Sequence, residues 1–220
     1  MEKLLKEKII ETLSTEFKSS DLAHLVSCLY ESIAGATKFA VELCPTKEIQ
    51  KPFLGQAEHF CIQQAVKTAA DHSGFDFELR ETNPQGAHYP IISSNSFMIA
   101  VRKASTPASW AKTNYIRELS TLNLIHEESH SDLFKRSYPD NLNTMFMILS
   151  VYISSDQHVD ATLLIPSSDL KRVHFAIPLD KVIEASASLT KNKVVEPVVK
   201  LKKQLSELDS PNIVQQKFGS

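Results

Sequence analysis

The stretch Met145–Ile153, MFMILSVYI, constrains the fold of this chain more than any other. It is almost wholly apolar, and such a run predicts a strand buried on both faces. The residues after it fit that reading. Ser154 to Gln157 is short and polar, which suits a hairpin connection. In the next run, Val159, Ala161, Leu163 and Ile165 alternate with Asp160, Thr162 and Leu164, predicting a second strand. Pro166 has no N–H to donate and ends that ladder. Val173 to Ile177 predicts a third, short strand, and Pro178 opens a helix through Ala187. Adjacent antiparallel strands under a covering helix form a core on which other layers can pack.

Upstream, the periodicity is helical. Leu4, Leu5, Ile9, Leu13 and Phe17 mark one face of a first helix. Ser19, Ser20 and Asp21 offer a cap to a second, which carries Leu22, Leu25, Val26, Leu29 and Ile33 and ends before Pro45. A third, from Pro52 to Ser73, is expected to bury Phe53, Ala57, Phe60, Cys61 and Ala65, with Gly74 as its left-handed cap. Phe75 to Arg80 then alternates like a half-buried strand, and Asn83-Pro84-Gln85-Gly86 reads as a turn. His88–Ile92 and Phe97–Val101 are further strands, and a fourth helix is expected from Trp110 to about Leu122. The fold class expected is α+β. Residues 1–190 form a single domain, with a helical layer (1–73) packed on a mostly antiparallel sheet with covering helices (75–187). Residues 191–220 form a basic C-terminal helix, limited upstream by Pro197, and a fraying tail.

Charge narrows the function. With 24 basic and 26 acidic residues the formal charge is −2, so no global field draws the chain to nucleic acid or an anionic membrane. Five glycines form no phosphate-binding loop, and Cys28, Cys44 and Cys61 read as buried reduced thiols in apolar helices. No run of 18 apolar residues exists, and MEKLLKEK is too acidic and amphipathic for a signal peptide. These features predict a cytoplasmic protein that meets a protein partner or its own copies.

Two patterns carry chemistry. In His126-Glu127-Glu128-Ser129-His130 the histidines are four residues apart. On a helix both could reach one Zn²⁺, with Glu127 as general base of a metallopeptidase-like site. His158, Asp160 and Glu184 are candidates for the third ligand. Against this, Glu128, Ser131, Asp132, Lys135 and Arg136 make the segment polar all round, so a solvated helix end is the expected state. The second pattern is Glu58 on the third helix, Asp76 and Glu78 on the next strand, and Arg102 and Lys103 after another. Helix, acidic strand and lysine-bearing strand outline a two-carboxylate-and-lysine Mg²⁺ site of nuclease type, yet Val101 stands where a strand carboxylate is needed. There is no GxSxG elbow, and His59 and Cys61 point to different sides of their helix.

At His88-Tyr89-Pro90, Tyr115-Ile116-Arg117 and Leu122-Asn123-Leu124 the chain resembles a group of uncharacterised bacterial proteins. That group looks like partners of helix-turn-helix or zinc-peptidase regulators in mobile-element cassettes. The resemblance covers residues 75–180, with Ile125 in place of the group's phenylalanine, and it carries over no catalytic residue. It implies a strand, a helix ending in a tight turn, and an apolar hairpin. It also implies a regulatory role in a toxin–antitoxin or phage-defence cassette. The expected function is therefore non-catalytic interaction, with no cofactor. The alternatives are a zinc enzyme and a degenerate Mg²⁺-dependent nuclease-like fold.

Overall fold

A computed structural model describes residues 2–82, 86–110, 112–131, 144–154, 156 and 158–189, the side chains of 2–3 and 128–131 excepted. Three helices come first: α1 (Glu2–Glu16), α2 (Ser19–Leu43) and α3 (Lys47–Ser73). The breaks between them fall at Lys18 and at Cys44–Thr46, around Pro45. Gly74 ends α3 at φ 71°, a conformation glycine adopts without steric cost, as the sequence predicts. α3 starts upstream of the expected Pro52, which lies inside it. Its missing N–H costs one bond in the exposed N-terminal part, and the helix continues through it.

Six strands follow: β1 (Asp76–Glu81), β2 (His88–Ser93), β3 (Phe97–Ala104), β4 (Met145–Ile153), β5 (Val159–Pro166) and β6 (Val173–Pro178). They lie side by side in chain order in one sheet. Neighbours are antiparallel except β3 and β4, which run parallel from Phe97↔Met145 to Ala104↔Tyr152. Two parallel strands cannot be joined by a tight turn. The crossover between them carries α4 (Asn114–Ser120), a 3₁₀ turn (Thr121–Asn123) and α5 (Leu124–Ser131). The helix expected from Trp110 thus starts later, at Asn114. A further helix, α6, covers 179–189, where Pro178 predicts one. The fold is α+β, an N-terminal helical region on a mostly antiparallel sheet. The expected tail, residues 191–220, lies outside the described residues.

β4 is interior, and period two sorts its side chains. Met145, Met147, Leu149 and Val151 join Phe97, Ile99 and Leu163 against Leu13, Leu25, Leu29 and Ile62 of the helical layer. Phe146 and Ile148 face the other way, against Tyr115, Ile116 and Leu164. The strand is buried on both faces, as its composition demands.

Helix α3 corrects the expected burial. Its inner face is Ile62, Ala65, Val66, Ala69 and Ala70. Phe53, Ala57 and Cys61 are only half-buried, and Phe60 is 64% exposed. Small residues at 65, 69 and 70 let the helix approach the sheet closely, and Phe60 falls outside that stripe. Of the cysteines, Cys28 alone is fully buried, and all three are free.

Candidate functional site

Two polar clusters lie among the described residues, and each absorbs one of the sequence patterns. The first is built where β2 and β3 part. Their ladder runs from Ser93↔Met98 to Ile91↔Ala100 and ends at Pro90, which has no N–H to offer β3. Side chains fill the opening. Gln63 donates from Nε2 to the His88 carbonyl (2.7 Å) and lies 3.0 Å from His59 Nε2. Lys103, on the face of β3 that meets α3, donates to Glu58, which is 7% exposed. Burial, then the charges of Arg102 and Lys103, hold His59 below its ordinary pKa of 6.5, so the imidazole is neutral at pH 7.

Arg102 points to the opposite face. It donates to Thr113 Oγ1 (3.0 Å), and its guanidinium lies 5.5 Å from the Tyr115 ring centroid. Tyr115 stacks on Tyr89 at 3.7 Å. Burial raises the pKa of both phenols.

The helix–sheet–lysine outline therefore holds in part. Glu58 and Lys103 meet, but Val101 is buried in the core where a second carboxylate would stand. Glu78 of β1 pairs with Arg80 at 2.7 Å. Among the described residues no group of three His, Cys, Asp or Glu side chains could hold a metal ion.

The second cluster holds HEESH. Residues 126–130 are helical, as a zinc reading requires, but the expected solvation is wrong for His126, which is 7% exposed. The side chain of His130 lies outside the described residues. Glu127 faces the β5–β6 turn. Its Oε1 accepts from the Ser168 N–H (2.9 Å) and from His174 Nε2 (2.6 Å), and its Oε2 from the Ser168 hydroxyl. Burial works to raise the Glu127 pKa, but the bonds from His174 and Ser168 together outweigh it and leave the carboxyl below its ordinary 4.5. Ser, His and Glu are all present, but the carboxylate sits in the middle. A hydrolytic triad needs the imidazole between hydroxyl and acid. Here the Ser168 hydroxyl donates to the Glu127 carboxylate itself, a weak base held below its ordinary pKa. The suggested third ligands lie elsewhere: His158 is 3.3 Å from Asp160 beside the β4–β5 turn, and Glu184 pairs with Lys181 on α6.

Glu127 continues a polar stripe. Ser120 donates to the Ser168 carbonyl (2.9 Å). Asn123, 2% exposed, donates to the carbonyls of Phe146 (3.0 Å) and Pro166 (2.8 Å) and accepts from the Phe146 N–H (2.8 Å). Residues 120, 123 and 127 share a helical face, i, i+3 and i+7. They bolt the crossover to β4 and the β5–β6 turn. In the sequence Asn123 stands out only within Leu122-Asn123-Leu124 and Ser120 not at all, although both keep helical spacing from Glu127.

No family model, curated protein or solved structure matches this chain.

Proposed function

We propose that the chain is a non-catalytic interaction or regulatory protein of the bacterial cytoplasm, working in a toxin–antitoxin or phage-defence cassette. The observation that carries this reading is the apolar end of the α2–α3 hairpin. Phe39, Val41, Leu43 and Ile49 are each more than half exposed there, and α3 has no fully buried residue before Glu58. Neighbouring exposed apolar side chains at one end of a molecule suit a protein partner. No described helix is long and apolar enough to cross a membrane.

The test is affinity capture of the tagged chain from its host, beside the Phe39→Asp/Ile49→Asp variant. Both positions are exposed, so the variant should melt like the wild type and lose the captured protein. A hydrolytic activity lost through a single side-chain change, in a chain that still folds, would overturn the reading.

One observation favours a second reading, a nuclease-like enzyme. The order α3, three antiparallel strands, helical crossover and parallel β4 brings Glu58 to Lys103. Mg²⁺-dependent cleavage of DNA or RNA that disappears in a folded Glu58→Gln variant would establish it.

A further inference from the structure

The two edges of the sheet are treated differently. On β6, Lys6 of α1 donates to the Ala176 carbonyl at 3.1 Å. Among the described residues β1 pairs with β2 alone. The Thr82 N–H donates to the Ala87 carbonyl (2.8 Å), and that bond fixes the phase of the ladder. Residues 76, 78, 80 and 82 turn their backbone groups to β2, so Phe77, Leu79 and Glu81 turn N–H and C=O outward. Along this edge runs an open groove of ≈ 360 Å³ between α3 and β1, lined by Phe60, Gln64, Phe77 and Leu79 among others. Leu79 is 46% exposed.

Outward backbone groups suit a strand as occupant, and β1 sets the pattern such a strand would need. Side chains beside Phe77 and Leu79 enter the groove and are apolar. Those on the other face lie beside Asp76 and Glu78 and are cationic. A second copy of β1, set antiparallel with Phe77 beside Leu79, gains two Asp76–Arg80 pairs but brings its two Glu78 carboxylates face to face, a poorer match than a cationic strand.

We propose that the chain's own C-terminal segment, residues 198–203, Val-Val-Lys-Leu-Lys-Lys, adds to β1 as an antiparallel seventh strand in place of the helix its composition suggests. In the register Val199↔Leu79, Lys200 stands opposite Glu78, Leu201 opposite Phe77 and Lys202 opposite Asp76. Both apolar residues then fall on the groove side, and both lysines meet a carboxylate. A parallel alignment, with Val199 beside Phe77 and Leu201 beside Leu79, sets Lys202 against Arg80. The register also joins Val199 and Leu201 to the two residues whose backbone groups point outward. Reach is sufficient. Ser186 of α6 donates to the Phe17 carbonyl (3.0 Å), and the Phe17 ring lies 5.5 Å from that of Phe75, the residue before β1. Residues 190–197 extend to roughly 25 Å, more than the length of β1.

Amide hydrogen exchange on the full-length chain tests this. The outward amides of Phe77 and Leu79 are expected to be protected in the wild type, equally at low and high chain concentration. In Lys200→Glu/Lys202→Glu they should exchange about tenfold faster or more. The amides of Glu78 and Arg80, bonded to β2, should not change and so report an intact fold. Adding Asp76→Lys/Glu78→Lys to that variant should restore protection. Fast exchange at Phe77 and Leu79 in the wild type would overturn the proposal, as would protection indifferent to the lysine reversals. Protection that grows with concentration would assign the edge to a second copy and equally overturn it.

Discussion

Asn123→Ala tests how the crossover is held. Extending the β4–β5 register from Ile148↔Leu164 sets Phe146 opposite Pro166. Pro166 has no N–H, so the ladder cannot close there. The Asn123 carboxamide closes it, giving one acceptor to the Phe146 N–H and one donor to each of two carbonyls, all at 2.8–3.0 Å. Each such bond contributes about 1 kcal/mol net, and a buried N–H left without a partner costs about 1–3 kcal/mol. Truncation to alanine should therefore cost about 3–5 kcal/mol. For a chain of this size that is a fall in Tm of about 10 °C or more, read by calorimetry or circular dichroism. Asn123→Asp is the sharper variant. It keeps the acceptor and the shape, loses both donors, and sets a negative charge against two carbonyl oxygens. It should be no better than alanine. An Asn123→Asp protein that melts with the wild type would refute the clamp.

Other perturbations read other parts. Lys103→Met leaves the buried Glu58 carboxylate without its cation and should cost about 2–4 kcal/mol in urea unfolding, and adding Glu58→Leu should recover most of the loss. Ile148 is fully buried, so Ile148→Asp should abolish cooperative folding, and β4 amides should be among the slowest to exchange in the wild type. Exchange in β4 as fast as in the α2–α3 tip would contradict its central place. The Glu127 pKa is depressed in the fold, so its contribution is present above the ordinary 4.5 and is lost as pH falls through the lower folded value. The Tm gap between wild type and Glu127→Gln should hold from pH 7 to about 5 and close under more acid conditions. A gap that persists undiminished to pH 2 would disprove this assignment.

What the sequence made legible follows from locality. β4 and β5 announce themselves because alternation and continuous apolarity are properties of neighbouring residues. Gly74 does so because only a left-handed cap rewards glycine there. The parallel pairing of β3 with β4 was hidden, since it depends on where a crossover of some forty residues returns the chain. The burial of α3 is not legible at Phe60, because Phe53, Ala57, Phe60, Cys61 and Ala65 also keep helical phase and form a rival apolar face. The face that packs is the one carrying Ile62, Ala65, Val66 and Ala69, whose smaller side chains admit the sheet, and Phe60 is left on the far side. Glu58 and Lys103 were both singled out, but that they would satisfy each other could not be read from two positions 45 residues apart.

The HEESH segment shows why a spacing motif underdetermines chemistry. Histidines four apart on a helix share a face, and so do 120, 123 and 127. The two faces compete for the same residues, and what decides between them is the surface presented opposite. Here it is a turn with a free Ser168 N–H, two strand-end carbonyls and His174, a set that needs acceptors at 127 and both donor and acceptor at 123. Glutamate and asparagine meet that need. A Glu127 carboxylate holding three hydrogen bonds has little freedom to turn towards a water on a metal, since losing them exposes the Ser168 N–H as well. Glu127, the residue that makes the motif look catalytic, is the last bolt of the crossover.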